Sequence, residues 1–316
     1  MITHIANTMT AEHFDLMCKQ VLMMNTDIEQ FVYEEMLEHE KNYDPITGER
    51  FTRFVPTLPL QYFRVPLTSP DGVMVYCEIL APLVPSDHAI LYVHGAAFQR
   101  RLNDINLKTT ERLCARTGQP VYSPDYRVGI AYTFDQMVAD IITAYQYLLS
   151  DCGYRAENIT ILADSSGCTT ALQAMQAISK QSLPAPGKVV LWSPVGERHP
   201  NDRNQLEQDI AFRTNHLSIV SFDTYCTHMG KGKSNEDLFP IYGNYHDLQH
   251  TSILIQVGAK EFLREDSYKL HDIFSNICPC TLEVYDDMFH NFQTYYSFCE
   301  MAKLSWDRSI HFITER

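Results

Sequence analysis

The sequence predicts an α/β protein with a mostly parallel, doubly wound central sheet flanked by helices. Short apolar runs, typical of buried strands, alternate along the chain with amphipathic segments of helical period. The apolar run 89–93 and the segment 134–149, whose apolar residues share one broad face, are strong examples. Because such sheets bind ligands beyond the carboxyl ends of their strands, a functional site is expected among the residues that follow the strands.

Length, composition and charge limit the class of protein. The chain has 316 residues, of which 45% are hydrophobic, enough for one large core with an appended cap. The formal net charge of -14 argues against nucleic acid as a partner, because no basic surface is available to neutralise phosphates. We expect no signal peptide and no integral membrane segment, since no apolar run is long enough. Nine cysteines without a framework spacing predict reduced thiols and a cytoplasmic location.

The first part of the chain is predicted to hold a helical segment and then the first core strands. Residues 10–42 have a helical apolar pattern that fits either a surface helix pair or a cap, and we assign 1–50 to a helical cap segment. Two alternating runs, Gln61–Leu67 and Val73–Leu80, flank the turn residues Ser69-Pro70-Asp71-Gly72 and predict a hairpin. The next predicted elements are strand 89–93, helix 106–116, strand 120–123 and helix 134–149.

The second part continues the alternation and is interrupted once. The predicted elements are strand 159–162, a helix from 169, strands 188–192 and 252–257, helix 265–275, strand 281–285 and helix 292–312. Residues 199–245 are polar, with helical patches at 205–212 and 218–228, and they predict a cap insertion between two core strands. The catalytic core is therefore expected in two parts, 51–198 and 246–316.

The segment Ile159–Thr170 contains the most informative motif. A strand pattern leads directly into Ala163-Asp164-Ser165-Ser166-Gly167, and a helical pattern follows. A strand that turns at once into a helix needs small residues on both sides of the apex, and it lifts the apex side chain above the sheet. Ser165 is therefore the candidate nucleophile, although serine between small residues is also common in ordinary loops.

A nucleophilic serine needs a base, and the base needs an orienting carboxylate. His290 lies between the last predicted strand and the last predicted helix, whereas most of the thirteen histidines are expected to be ordinary surface or core residues. Glu261 follows strand 252–257 and is the candidate acid. Glu265 and Asp266 fit the first turn of the next helix, where acids complement the helix dipole.

A fourth element follows strand 89–93. The stretch His94-Gly95-Ala96-Ala97 has small residues that let backbone amides approach a substrate oxygen, although the dipeptide His94-Gly95 alone fits any tight turn. The amide of Ser166, directly after the candidate nucleophile, is a further donor. Because four elements occur in the order expected for a serine hydrolase, coincidence is a poor explanation.

These motifs resemble those of serine esterases of the α/β-hydrolase fold, in the branch similar to hormone-sensitive lipase. That branch carries H-G-G-G, D-Y-R-L-A-P-E, G-D-S-A-G-G, D-x-L-x-D and H-x-F. The stretches here are His94-Gly95-Ala96-Ala97-Phe98, Asp125-Tyr126-Arg127-Val128, Ala163-Asp164-Ser165-Ser166-Gly167-Cys168, Glu261-Phe262-Leu263-Arg264-Glu265 and His290-Asn291-Phe292. The resemblance covers the chain from about residue 89 onward and leaves the cap segments unmatched.

The resemblance implies a role for each candidate residue. These are Ser165 as nucleophile, Glu261 as acid, His290 as base, and the amides of Ala96, Ala97 and Ser166 as the oxyanion hole, with His94, Gly95, Asp164 and Gly167 as supporting motif residues. The chain departs from the pattern at Ala96 and Ala97, which replace glycines, at Ile130-Ala131, and at Cys168. If the loop needs positive φ, alanine is strained there.

The expected activity is that of a cap-bearing carboxylic-ester hydrolase, which acts on short-acyl esters through an acyl-enzyme and needs no metal or organic cofactor. A specialised deacylase, amidase or lactonase uses the same residues and is an alternative. A second alternative, suggested by the altered oxyanion loop, is a non-catalytic hydrolase-fold protein that binds a small molecule. The expected partner is a small-molecule ester, and the sequence leaves open whether the chain forms a homo-oligomer.

Overall fold

Strands and helices alternate through most of the chain. The computed structural model describes residues 1–26, 53–129, 131–197, 230 and 232–315. In chain order the elements are β1 (Ile2–Ile5), α1 (Ala11–Thr26), β2 (Gln61–Thr68), β3 (Met74–Ala81), β4 (Ala89–Val93), α2 (Asp104–Thr117), β5 (Val121–Pro124), α3 (Phe134–Ser150), β6 (Ile159–Asp164), α4 (Ser166–Lys180), β7 (Lys188–Trp192), α5 (Asn235–Leu238), β8 (Ser252–Gly258), α6 (Arg264–Ser275), β9 (Cys280–Tyr285) and α7 (Glu300–Thr314).

The described strands form a nine-stranded sheet in the order β1-β9-β8-β7-β6-β4-β5-β3-β2. The seven strands from β1 to β5 in this spatial order all pair in parallel with their neighbours. β3 pairs antiparallel with both β5 and β2. The predicted mostly parallel sheet and the predicted hairpin are therefore confirmed. β4 lies between β5 and β6, so the strand order reverses there, and ligands of such sheets bind beside a reversal of this kind.

Helices cover both faces of the sheet, and the side chains of the parallel strands alternate between the two layers. Ala89, Leu91 and Val93 of β4 pack in the layer that contains α3, α4 and α6, whereas Ile90 and Tyr92 pack in the layer that contains α2 and α7. All five residues are buried, which explains why β4 reads as a continuous apolar run.

The N-terminal residues differ from the prediction. A helix is present over residues 11–26 of the predicted helical segment 10–42, but residues 2–5, which were assigned to a helical cap segment, form β1 at the sheet edge, parallel to β9. Met17 and Val21 of α1 pack in a small core with Met288 and Phe289. The cap assignment for residues 27–50, and for 199–229 with both predicted helical patches, lies outside the described residues.

Two predicted helix boundaries also change. The helix after Ser165 begins at Ser166 and not at residue 169, so the strand turns into the helix without a linker. The predicted helix 292–312 is divided into a short 3-10 turn at Phe292–Tyr295 and α7. Among the described helices, none has the length and apolar character that a membrane crossing requires.

Candidate active site

Ser165 stands at a sharp turn between β6 and α4. Its backbone has φ of 50° and ψ of -125°, a conformation that only a strongly constrained non-glycine residue adopts. A Cβ at Gly167 would lie 2.3 Å from the carbonyl oxygen of Val93 and 2.5 Å from that of His94. Glycine is therefore required where α4 crosses the end of β4, as the elbow pattern predicts.

Ser165, His290 and Glu261 form one hydrogen-bonded chain. The Ser165 Oγ atom lies 2.9 Å from His290 Nε2, and His290 Nδ1 lies 2.9 Å from Glu261 Oε2. The other Glu261 oxygen accepts a hydrogen bond of 3.1 Å from the amide of Gly258, and the carboxylate is buried. The structure thus brings the predicted nucleophile, base and acid together in the geometry in which a base can accept a serine proton.

Backbone contacts hold the acid and histidine loops together. In the loop after β8, the amide of Ala259 donates to the carbonyl oxygen of Tyr285 at 2.8 Å. The amide of Lys260 donates to the carbonyl oxygen of Met288 at 2.9 Å. A Cβ at Gly258 would lie 2.4 Å from that Met288 oxygen, so the two loops touch there. The separation between Glu261 and His290 is therefore set by main-chain hydrogen bonds as well as by side chains.

Asn291 fixes the backbone beside His290, and sequence reasoning did not single it out for this role. Its φ is 54°, and asparagine tolerates this left-handed region better than most residues. Its amide N–H donates to Ser193 Oγ at 3.1 Å, and its side-chain Nδ2 donates to Asp164 Oδ2 at 3.1 Å. The position of Asn291 directly after the candidate base was the available signal.

Asp164 links three parts of the site. Besides Asn291, its carboxylate accepts hydrogen bonds from the Tyr92 hydroxyl at 2.7 Å and from the Gly95 amide at 3.2 Å. Burial raises the pKa of Asp164, and these hydrogen bonds act in the opposite direction. A Cβ at Gly95 would lie 2.6 Å from the Asp164 carboxylate and 3.0 Å from Ser165 Cβ, so the loop after β4 packs directly on the elbow.

The loop after β4 is a left-handed turn without glycine. Ala96, Ala97 and Phe98 have φ values of 97°, 52° and 61°. The amide of Gln99 donates to the carbonyl oxygen of Ala96 at 2.9 Å, and this hydrogen bond closes the turn. Turns with two positive-φ central residues normally carry Asn-Gly or a similar pair, and each non-glycine residue costs roughly 1–2 kcal/mol. The strain expected for the two alanines is therefore present. Within the described residues, the amides of Ala96 and Ala97 donate no hydrogen bond.

His94 supports this turn and is not placed to react. Its Nδ1 donates to the Gly95 oxygen at 2.8 Å, and its own carbonyl oxygen accepts from the Tyr126 hydroxyl at 2.5 Å. Burial lowers the pKa of His94 to about 4, so the ring is neutral near pH 7. The sequence indicated only a motif residue here, and the structure shows a buried neutral imidazole beneath the loop.

Asp266 has a different role from the one expected. It lies in the first turn of α6 as predicted, but it is buried, and its Oδ2 accepts from the amides of Gly196 at 2.7 Å and Glu197 at 3.2 Å. Glu265 in the same turn is exposed and paired with Arg264 at 2.9 Å. Asp266 therefore holds the chain that leaves β7, whereas Glu265 fits the expected surface position.

Comparison with known proteins agrees with the fold. A family model described as the alpha/beta hydrolase fold matches residues 90–294. The chain belongs to this family. It is 25% identical to an acetyl-hydrolase of Streptomyces hygroscopicus over 223 residues, which are 69% of this chain and 73% of that protein. It is 24% identical to an esterase of Acinetobacter venetianus over 222 residues, 68% of this chain and 70% of that protein.

Solved structures show the same architecture. A hormone-sensitive-lipase homologue from a metagenome library has a TM-score of 0.77 at 22% identity, with 95% of this chain and 97% of that chain covered. An esterase of the bacterial hormone-sensitive-lipase family has a TM-score of 0.75 at 22% identity, with 98% and 99% covered. The predicted α/β-hydrolase fold is thus confirmed.

Proposed function

We propose that the chain is a carboxylic-ester hydrolase in which Ser165, His290 and Glu261 act as nucleophile, base and acid. The observation that carries the proposal is the hydrogen-bonded chain from Ser165 Oγ through the His290 ring to Glu261, at 2.9 Å for each link. The names of two relatives, an acetyl-hydrolase and an esterase, support the ester class.

The reaction follows from this geometry in two halves. His290 Nε2 accepts the Ser165 proton as Oγ attacks the ester carbonyl, and Glu261 stabilises the imidazolium that forms. The oxyanion is stabilised by the amides of Ala96, Ala97 and Ser166, because donors fixed before reaction need no reorganisation as charge develops. His290 then protonates the departing alcohol. A water molecule activated by the same ring releases the acid and restores the serine.

Short acyl chains are the proposed substrates. The resemblance to short-acyl esterases and the name of the Streptomyces relative, an acetyl-hydrolase, support this choice. The test is hydrolysis of p-nitrophenyl esters from acetate to decanoate by the wild type and by Ser165→Ala. We expect kcat/KM to fall with chain length and turnover to be lost in the variant. A maximum at decanoate would contradict the acyl-length proposal, and full activity of Ser165→Ala would contradict the mechanism.

A non-catalytic binding protein is the second candidate, and one observation favours it. The turn at Ala96–Phe98 lacks the glycines that the resemblance leads one to expect in an oxyanion loop, and this substitution favours a site that has lost catalytic activity. The two candidates differ in the reactivity of Ser165. A binding protein leaves Ser165 unlabelled by a fluorophosphonate, whereas the ester hydrolase labels at that residue.

Location and assembly are further proposals. All cysteines among the described residues are free thiols, as is usual for proteins of a reducing compartment, and this supports the cytoplasm. Cell fractionation tests the location. Light scattering of the purified chain decides between a monomer and a homo-oligomer.

A further inference from the structure

Contacts of Phe98 help to hold the turn at Ala96–Phe98 in its unfavourable conformation. The Phe98 oxygen accepts from the Gly129 amide at 2.8 Å, and the Phe98 ring packs edge-on against Phe134 with centroids 5.9 Å apart. The Phe98 amide donates to the Ser166 Oγ at 3.2 Å. Non-glycine residues remain at positive φ only where surrounding contacts over-determine their conformation.

The Ser166 contact differs from the other two because of where it leads. Ser166 is fully buried and is the first residue of α4, directly after Ser165. Its hydroxyl therefore ties the left-handed turn to the elbow that carries the proposed nucleophile. The amides of Ala96 and Ala97 belong to this turn, and a change in its φ angles would reorient them relative to Ser165.

The sequence changes at both ends of this contact. The motif of the hormone-sensitive-lipase branch has H-G-G-G and G-D-S-A-G-G, whereas this chain has alanine at 96 and 97 and serine at 166. Glycine occupies positive φ at no steric cost and needs no support, but alanine resists it. A hydroxyl at position 166 supplies a hydrogen-bond acceptor that alanine lacks.

We propose that the Ser166 side chain is a positioning residue for the oxyanion hole, and that its hydrogen bond to Phe98 holds the alanine-containing turn in place. This inference rests on the proposed function and deepens it. Ser166 then contributes twice, with its main-chain amide as an oxyanion donor and with its hydroxyl as a support for the two other donors. The substitution Ser166→Ala removes only the second contribution.

The test compares the effect of Ser166→Ala in two backgrounds, the natural loop and the loop with Ala96→Gly and Ala97→Gly. In the natural loop we expect kcat for p-nitrophenyl butyrate to fall about tenfold or more with KM changed less than about twofold, since misplaced donors act on the transition state. Phenyl trifluoromethyl ketone forms an oxyanion-bearing adduct with a serine, so its Ki should rise in proportion. In the glycine background the same substitution should lower kcat less than about threefold, because two of the three residues at positive φ then adopt it without steric cost.

A matched control separates this role from general stability. Ser309 of α7 is also buried, and its hydroxyl accepts a hydrogen bond from Trp192 Nε1 at 3.1 Å on the other face of the sheet. Ser309→Ala should lower the melting temperature without changing kcat or the ketone Ki. Equal kcat for the wild type and Ser166→Ala, or an equal loss in both loop backgrounds, would overturn the inference alone. A wild type that neither turns over esters nor binds the ketone would overturn the proposed function and the inference with it.

Discussion

Asn291 offers the sharpest mutational test of how the histidine loop is positioned. Its side chain donates a hydrogen bond of 3.1 Å to the buried carboxyl group of Asp164, and leaving a buried acceptor without its partner costs about 1–3 kcal/mol. Its φ of 54° adds a second cost of roughly 1–2 kcal/mol when the residue is replaced by alanine, but not when it is replaced by glycine. Asn291→Gly therefore removes the side-chain contact, and Asn291→Ala removes the contact and strains the backbone.

Urea unfolding monitored by tryptophan fluorescence measures both the side-chain and the backbone contribution to the free energy of unfolding. We expect the free energy of unfolding to fall by about 2 kcal/mol in Asn291→Gly and by about 3–4 kcal/mol in Asn291→Ala. Since His290 precedes this residue, kcat for p-nitrophenyl butyrate should also fall about tenfold or more in both. Equal stability of the two variants would refute the backbone argument. Wild-type stability and kcat in both would refute the positioning role.

Three further outcomes follow from other contacts. Burial holds the pKa of His94 at about 4, below the 6.5 of an unfolded histidine, so the unfolded chain binds more protons between these pH values. The free energy of unfolding should therefore fall by up to about 3 kcal/mol as the pH drops from 6.5 to 4. Urea titrations at several pH values should show a shallower fall in His94→Gln. Gly167→Ala places a Cβ 2.3 Å from the Val93 oxygen, so we expect soluble expression and ester turnover to be lost, whereas Ala171→Gly further along α4 should retain both. The Lys188 ammonium group donates to two carbonyl oxygens at the end of α7, at 2.8 and 3.0 Å. Lys188→Met should therefore lower the free energy of unfolding by about 1–2 kcal/mol. An unchanged urea midpoint would contradict this.

The fold and the positions of the candidate residues could be predicted because they depend on local patterns. β4, β6, β7 and β8 are buried on both faces and read as short apolar runs, and Ser165 and Glu261 follow two of these strands closely. His290 was found in the same way, from its place between the last strand and the last helix. Once the strands are parallel, their carboxyl ends meet at one edge, so residues far apart in sequence are brought together.

Other features depend on contacts that a local pattern does not contain. β1 has only four residues, and its pairing with β9 joins positions about 280 residues apart. The Phe98–Ser166 and Asn291–Asp164 hydrogen bonds join residues 68 and 127 positions apart, and each depends on the exact approach of two loops. Asp266 was interpreted from its helix position alone, since nothing in the sequence shows that the chain leaving β7 lies against it.

The central claim is that Ser165 is a nucleophile activated by His290 and Glu261. Intact-mass spectrometry after incubation with a fluorophosphonate tests it most directly, with the wild type, Ser165→Ala and the control Ser309→Ala compared under the same conditions. We expect one adduct per chain in the wild type, assigned to Ser165 by peptide mapping, an adduct again in Ser309→Ala, and none in Ser165→Ala. A folded wild type that remains unlabelled, or a Ser165→Ala variant that labels as the wild type does, would contradict the claim.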